Sequence, residues 1–361
     1  GWFTLSAPDE AEQTAQYADG IALQAEPLAE KPQLTVLGES GSFRARTHRL
    51  QQKLSESLRR AMHRDTGGVL AAMTVGDRSG LSAQLRSAYR GAGLAHVLVV
   101  SGLHVTIFCG LLDALPRRER ERSRAYRRAR SLLRAGMALL LVGITGVTPS
   151  VLRAAVAVWI SSLGVWLGGP ADTLTSLGAA GVLMCLGNGY AVCDVGFELS
   201  FAAVLGTLAG GTCAKRGRKA YYNKKKKQGK KPSRPVLLLR RLAGGVWDAL
   251  CVSFCASAAT FPVLVLRGLS VSAWAVVSSI AVLWMVQPLL LLGLAVAFVG
   301  LVPWLAPVHG VLSRAADLLT GLLNGWAVWL STKPGASIYF NTAYAALVCL
   351  LLCGLWVLAF R

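Results

Sequence analysis

Long apolar runs occupy most of the chain beyond residue 93. A helix needs about 20 apolar residues to cross a hydrocarbon core about 30 Å thick, and several runs approach or exceed that length. Continuous runs favour helices, because the strands of a membrane β-barrel would alternate apolar and polar residues. The sequence therefore predicts an all-α fold, a polytopic transmembrane helical bundle of about eight segments. The segments are placed at 94–115, 131–148, 149–168, 173–192, 196–213, 246–266, 271–303 and 342–360.

Two stretches outside these segments have an amphipathic pattern. In residues 44–64, Leu50, Leu54 and Leu58 share one helical face, and basic residues surround them. Such a helix either lies on the membrane surface or packs on the first helices of the bundle. Residues 308–331 are also amphipathic and are predicted to form an interfacial helix.

The first 42 residues are mixed and polar, and the run 20–25 predicts a strand. The chain begins at Gly1 rather than with Met, so we expect it to be a fragment of a longer protein. The predicted organisation has three parts. Residues 1–42 form an extracytoplasmic remnant, 43–92 an amphipathic lead-in, and 93–361 the transmembrane domain.

The net charge of +20 lies in two connections between apolar segments. Residues 115–134 hold nine Arg against two acidic residues, and residues 215–241 hold thirteen Lys and Arg and no acidic residue. By the positive-inside rule, these connections are predicted to be cytoplasmic loops, at 116–134 and 214–242. The lysine tract 224–227 could also bind anionic lipid or the phosphates of a nucleic acid.

This charge pattern predicts most of the topology. Four apolar segments between the basic loops return the chain to the same side, and segment 94–115 then runs from outside to inside. The segment 271–303 is too long for one untilted crossing, and Gln287-Pro288 interrupts it. One tilted helix, two short helices and a broken helix all remain open there, and with them the orientation of the C-terminus.

Eight cysteines lie in or beside apolar segments. Cys251 and Cys255 share the i,i+4 spacing of one helix face, as do Cys349 and Cys353. A zinc site would need about four nitrogen or sulfur ligands with a suitable spacing, and the sequence has no such set. We therefore expect buried thiols that act as small hydrophobic residues, with no metal site and no cofactor.

The most informative stretch is 71–105. It contains a turn, Gly76-Asp77-Arg78-Ser79, and then an apolar segment that includes His96 and Ser101-Gly102-Leu103-His104-Val105. This order and spacing closely resemble the hallmark of the ComEC family of competence proteins.

Two further motifs resemble elements of that family. The first, 146–154, contains Pro149, Ser150 and Arg153, and the second is 194–201. The second motif contributes the site candidates Asp194, Gly196, Phe197, Glu198 and Ser200, where Glu198 stands at a position at which the family pattern has Gln. The resemblance covers about residues 66–360.

The resemblance implies a channel that carries one strand of transforming DNA across the cytoplasmic membrane. The implied partners are single-stranded DNA, the lipid bilayer, a DNA receptor and a cytoplasmic motor, with assembly of several copies left open. ComEC proteins usually add an OB-like domain and a metallo-β-lactamase-like nuclease. Residues 1–42 could be the end of the former, and the chain has no H-x-H-x-D-H cluster, so we expect no enzyme activity. A small-solute transporter and an inactive, truncated family member are the alternatives.

Polar residues in the signature segment have two interpretations. On one continuous helix, His96 and His104 would project about 80° from each other and could line a wet passage. Ser101 and His104 are three residues apart, so an intramembrane hydrolase with Ser101 as nucleophile is the competing interpretation.

The other motifs add charged groups to the predicted lining. An arginine in hydrocarbon costs about 3 kcal/mol on insertion scales, so Arg153 should face the bundle interior, an interface or a partner, with Ser150 beside it. Asp194 and Glu198 could pair with Arg153 and hold the helices in register. Asp194 could also cap a helix, and Pro149 is suited to the first turn of its own helix.

Overall fold

The computed structural model describes residues 3–6, 24–27, 43–113, 123–146, 148–169, 172–226 and 234–340. Helices dominate this part of the chain. Near the N-terminus, strand β1 (Phe3–Ser6) pairs antiparallel with strand β2 (Gln24–Pro27), with Phe3 opposite Pro27. The sequence predicts a strand at 20–25, whereas strand β2 begins four residues later, at Gln24.

The lead-in folds into three helices. They are α1 (Phe43–Ala61), α2 (Arg64–Val75) and α3 (Ala83–Gly91). The predicted amphipathic helix is confirmed as α1, which buries Leu54 and Leu58. Helix α2 is covered far more completely, with every residue from Thr66 to Val75 buried.

The chain divides into two compact units, each made of segments that are distant in sequence. Among the described residues, unit one draws on Gly1–Ser57, Thr74–Asp77 and Val100–Glu198. Unit two draws on Leu58–Met73, Arg78–Val99 and Leu199–Arg361.

Unit one contains the signature helix and the helices that follow it. They are α4 (Gly102–Asp113), α5 (Arg124–Thr145), α6 (Pro149–Leu167) and α7 (Thr173–Gly187). Small and branched residues from α4, α5 and α6 form the core, among them Val105, Ala138 and Ala155. Helix α6 starts at Pro149, where the missing N–H costs little, and ends before Gly168 at φ +75°.

Unit two contains most of helix α8 (Val195–Lys226), which begins in unit one. It also contains α9 (Arg234–Leu266), α10 (Ala275–Val299) and α11 (Ala306–Ser331). Helices α8 and α9 approach closely at Gly206 and Gly210, where a β carbon would come within 2.6 Å of backbone atoms of α9. An ion pair between Arg218 and Asp248, at 2.9 Å, joins the same two helices nearer their basic ends.

The extent of the predicted basic loops was wrong. Helix α5 begins at Arg124, inside the loop predicted at 116–134, while α8 continues to Lys226 and α9 begins at Arg234. Most of the segment predicted as the loop 214–242 is therefore helical. Lys, Arg and Ala favour helices, so the helical backbone continues past the end of the apolar run.

The helix break that was one of the alternatives at Gln287-Pro288 does not occur. Helix α10 is continuous from Ala275 to Val299 with Pro288 inside it, so of the three alternatives the single helix is observed. A short 3-10 turn, Pro303–Leu305, then leads into α11.

Four helices in the described part of the chain are long and apolar enough to cross a membrane. The spans are Pro149–Leu167, Val195–Lys219, Ala243–Leu266 and Ala275–Val299. Helix α7 is apolar but shorter. The total of about eight segments stays a prediction, and the predicted segment 342–360 lies outside the described residues.

Candidate functional site

The motif turn is built on a backbone that only glycine adopts readily. Gly76 has φ +79°, and a β carbon there would lie 3.1 Å from the carbonyl oxygen of Thr145 and 3.4 Å from Val100. The turn therefore packs between the end of α5 and the non-helical residues that precede α4. Val100 lies in the same motif stretch as the turn, 71–105, and Thr145 directly precedes the second motif, 146–154.

Three side chains of helix α1 form hydrogen bonds to the turn and to the residue directly before it. The Gln51 amide donates to the Val75 carbonyl at 2.8 Å, and the Ser55 hydroxyl donates to the Asp77 carboxylate. One turn further along α1, Arg59 donates to the Ser79 hydroxyl at 2.7 Å. Sequence reasoning missed these supports, although polar residues at i, i+4 and i+8 beside a leucine stripe are a usable signal.

Arg78 is the third residue of the turn. Its carbonyl accepts a hydrogen bond from Arg86 at 2.8 Å. Burial lowers the pKa of the Arg78 guanidinium, and the nearby positive charge of Arg86 lowers it further.

The signature segment is not one continuous helix, as had been predicted for 94–115. A 3-10 turn covers Ala95–Leu98, residues 99–101 are not helical, and α4 begins at Gly102. His96 therefore lies on the turn with an exposed side chain, whereas His104 lies on α4 with only 2% of its surface exposed. The predicted 80° relation between the two histidines assumed one continuous helix, and the non-helical residues 99–101 remove that premise.

His104 caps the helix that carries it. Its Nδ1 accepts a hydrogen bond from the backbone N–H of Ser101 at 2.9 Å and lies 3.2 Å from the Ser101 hydroxyl. Ser101 directly precedes the helix and His104 is its third residue, so this contact matches one half of a capping box, with imidazole in place of a carboxylate or amide. An Nδ1 that accepts from an amide is unprotonated, so a neutral ring carries its hydrogen on Nε2.

Gly102 lets the Arg153 side chain approach the start of α4. A β carbon on Gly102 would lie 3.1 Å from Nη2 of Arg153 and 3.5 Å from Ala154. The helix that approaches Gly102 is therefore α6. Residues 51 positions apart in the sequence are thereby brought into contact.

The third motif begins at a cap. The Asp194 carboxylate accepts from the Gly196 backbone N–H at 2.6 Å, so Asp194 caps the N-terminus of α8, as one interpretation had predicted. A β carbon on Gly196 would lie 3.6 Å from Cγ of Pro149, so the first turns of α6 and α8 also meet. Glu198, in the first turn of α8, is half-buried, whereas Phe197 and Ser200 are buried.

The three motifs therefore assemble at the starts of helices α4, α6 and α8 within unit one. Gly102 meets Arg153 of α6, and Gly196 meets Pro149 at the start of α6. A helix start presents unpaired backbone N–H groups and a partial positive charge. The cluster thus combines the Arg153 guanidinium and three helix starts with the carboxylates of Asp194 and Glu198, of which Asp194 already accepts a hydrogen bond at the start of α8.

Comparison with known proteins supports the family resemblance that the sequence motifs indicate. The family described as Competence protein matches residues 73–361. ComE operon protein 3 of Bacillus subtilis (strain 168) is 34% identical over 139 residues, which are 38% of this chain and 17% of that relative. The match thus spans about a sixth of the relative's length. No solved structure matches the chain. The chain belongs to the Competence protein family, and within it to the ComEC type.

Proposed function

We propose that this chain forms the part of the cytoplasmic membrane through which a single DNA strand enters during natural competence. One observation carries the proposal: the family motifs meet at three helix starts beside Arg153, within a chain that has several candidate membrane spans. Membership of the Competence protein family supports a role in DNA uptake. The passage itself is our inference from the chemistry of the cluster.

Single-stranded DNA carries a negative charge on every phosphate, and its transfer requires groups that replace the water around those charges. Arg153 supplies a guanidinium, and the starts of α4, α6 and α8 supply oriented N–H groups. Contacts of this kind do not read sequence, as transport of any transforming strand requires. Ser150, which is half-buried one turn before Arg153, adds a hydroxyl near the start of α6.

Other members of the cluster position these groups. His104 and Asp194 each accept a hydrogen bond from a backbone N–H at a helix start, at 2.9 Å and 2.6 Å. They keep α4 and α8 helical up to the point where those helices contact α6. We therefore assign Arg153 and Ser150 to the lining, and His104 and Asp194 to the support behind it.

The basic ends of α8 and α9 would face the cytoplasm under the positive-inside rule. A cluster of cations there would attract the emerging strand, and a cytoplasmic motor would supply the energy. No catalytic step is assigned to this chain in the proposal. The proposal also includes a DNA receptor and a cytoplasmic motor as partners, and it applies to a single copy or to an assembly of several copies.

The test measures uptake of labelled DNA by competent cells that carry variants of the full-length protein. We expect Arg153→Ala to reduce uptake at least tenfold and Arg153→Lys to retain part of it, because Lys keeps the charge but loses the planar fork. Arg127→Ala, which alters an exposed arginine of α5, is the matched control and should leave uptake unchanged. Normal uptake by Arg153→Ala at normal protein levels would refute the assigned role.

A small-solute transporter is the alternative, and the sequence offers one candidate helix break for it, at Gln287-Pro288. A transporter built on inverted repeats would have paired broken helices near the membrane midplane. The one break considered in the sequence lies inside the continuous helix α10. If the chain is an inactive family member, cells that carry its wild-type form will also fail to take up DNA.

A further inference from the structure

We infer that helix α11 is a membrane-spanning helix in addition to the four apolar candidates, with its exposed apolar face in the lipid hydrocarbon. The sequence had predicted an interfacial helix at 308–331. Three independent observations support a crossing: the closed hairpin that α11 forms with α10, the exposed leucines opposite its buried polar residues, and its length between charged ends.

The hairpin places α11 alongside a candidate span. Beyond the end of α11, Pro334 accepts a hydrogen bond at 3.0 Å from the indole of Trp274, the residue directly before α10. Ala273 donates to the Gly335 carbonyl at 3.0 Å, and Val271 forms an antiparallel bridge with Ile338. These contacts join the start of α10 to the end of α11.

The opposite end of the hairpin is closed by the chain itself. Only residues 300–305 connect Val299 to Ala306. The two helices have 25 and 26 residues, so they run antiparallel over nearly equal lengths. If α10 crosses the membrane, α11 has to return through the same depth.

Both faces of α11 contain apolar residues, which is not the pattern of a helix with one side in water. Its protein-facing side buries Ser313, Thr320 and Asn324 together with Ala316, Leu323, Ala327 and Leu330. Its outer side exposes Leu318 at 64% and Leu322 at 57%. In water this arrangement buries hydroxyls and exposes leucines, whereas in a bilayer each face meets the environment that it suits.

The buried polar groups have partners inside the protein. The Tyr89 hydroxyl donates to Asn324 at 2.7 Å, and the Thr320 hydroxyl donates to the Ala316 carbonyl at 2.7 Å. Asp317 accepts from the Thr66 hydroxyl and from the His63 backbone N–H. The polar side of α11 therefore packs on α2 and α3. These contacts explain why polar residues occur in a helix whose outer face is apolar.

The length of α11 fits a bilayer. Residues 318–332 contain no Asp, Glu, Lys or Arg and extend over about 22 Å as a helix. Arg314 and Asp317 precede this stretch and Lys333 follows it. The Arg314 and Lys333 side chains are long enough to extend towards the headgroups and Asp317 bonds to Thr66, so the helix can match about 30 Å. Lys333 lies 4.6 Å from the ring of Trp329, a pairing suited to the membrane interface.

Average hydropathy misses this helix because it does not separate the two faces. The serine, threonine, asparagine and aspartate on the protein-facing side lower the mean, although none of them needs to meet lipid. If the basic ends of α8 and α9 are cytoplasmic, α9 runs outward, α10 inward and α11 outward. The segment after Ser331 is then extracytoplasmic.

The first experiment uses the wild-type full-length chain in vesicles of phosphatidylethanolamine and phosphatidylglycerol. The vesicles contain a lipid with a photoreactive diazirine either on its acyl chain or on its headgroup. We expect acyl-chain labelling of the peptide that contains Leu318 and Leu322. Headgroup labelling along the whole helix would indicate an interfacial helix, and absence of labelling by either probe would indicate a protein partner. Either result would overturn the inference.

The second experiment locates the two ends of α11 in cells. Single cysteines at His309 and Ser337 are introduced into a variant without native cysteines and treated with a membrane-impermeant maleimide. We expect labelling of the 337 position in intact cells, and of the 309 position only after permeabilisation. Cysteines at Ala273 and Leu301 are matched controls at the ends of α10. Labelling of 309 and 337 from the same side would refute a crossing, whether or not the DNA-passage proposal is correct.

Discussion

The guanidinium of Arg153 packs against Gly102, so that a methyl group at this glycine would come within 3.1 Å of Nη2. The contact joins the signature helix α4 to the helix of the second motif. It also explains why the smallest residue stands at the first position of α4. The Arg153 side chain can occupy the space only while Gly102 leaves it open.

Gly102→Ala should shift Arg153 by a few tenths of an ångström, because the end of a flexible side chain can move. Gly102→Val adds further atoms at the same place and should displace the guanidinium altogether. We expect a partial loss of DNA uptake for Gly102→Ala and at least a tenfold loss for Gly102→Val, at normal protein levels. Gly110→Ala is the control in the same helix, because nothing lies within 4 Å of its added methyl group. Equal uptake by all three variants would contradict the role of this contact.

His104→Ala removes the acceptor for the Ser101 N–H and should destabilise the start of α4 by about 1 kcal/mol, the usual value for a lost cap. His104→Gln places an amide oxygen within reach of the same N–H and should retain more stability. The measurement is thermal unfolding of the purified protein in detergent. Identical melting temperatures for wild type and His104→Ala would show that the cap contributes nothing.

Ser101→Ala separates capping from catalysis. The variant keeps the backbone N–H that His104 accepts from, but it removes the hydroxyl that a hydrolase would use as nucleophile. We expect normal DNA uptake and no labelling of the wild-type protein by a serine-reactive fluorophosphonate. Loss of uptake by a folded Ser101→Ala protein, together with labelling of the wild type at Ser101, would instead support the hydrolase alternative.

The close packing of α8 on α9 depends on Gly206. Its added β carbon would lie 2.6 Å from the Cys255 carbonyl oxygen and 2.7 Å from the Ala256 α carbon, and backbone atoms cannot move aside cheaply. Gly206→Ala should therefore cost about 1–3 kcal/mol through overpacking. Gly211→Ala, five residues along the same helix, meets nothing within 4 Å and should be neutral or slightly stabilising. Comparison of detergent-induced unfolding tests this difference, and a Gly206→Ala protein as stable as Gly211→Ala would contradict the packing.

Tyr89→Phe leaves the Asn324 side-chain oxygen without the hydrogen bond that the Tyr89 hydroxyl donates to it. An unsatisfied buried acceptor costs about 1–3 kcal/mol, so we expect a lower melting temperature. Tyr126→Phe removes a hydroxyl from the half-buried Tyr126 in α5 and should have little effect. Equal melting temperatures for the two variants would show that the contact between α3 and α11 is not stabilising.

The apolar runs were sufficient to predict where most helices lie. Helix α6 begins at Pro149, the first residue of the predicted segment 149–168, because an N-terminal proline and an apolar run of about the right length are local signals. The cap by Asp194 was also open to prediction, since a cap involves only neighbouring residues. The family was recognisable for a similar reason: its motifs are short and contiguous.

Positions where the backbone changes direction inside an apolar run were not predictable. The non-helical residues 99–101 separate His96 from His104, and the hydrophobic run continues on both sides of them with Ser101-Gly102 as a weak local turn signal. At Gln287-Pro288 the opposite occurred, and a residue pair that suggests a break lies in a continuous helix. Buried residues flank both places, Val100 at the first and Leu289 at the second, so tertiary contacts act there together with the local preference of the chain.

The sequence by itself determined the helical membrane class, the basic connections and the motifs, because each depends on the composition of a short window. Only the tertiary structure decided that Gly102 contacts Arg153, that Gly196 contacts Pro149, and that the polar side of α11 faces the protein. These features depend on which helix faces are paired. The free energy of pairing comes from contacts between residues far apart in the chain, so no single segment specifies it.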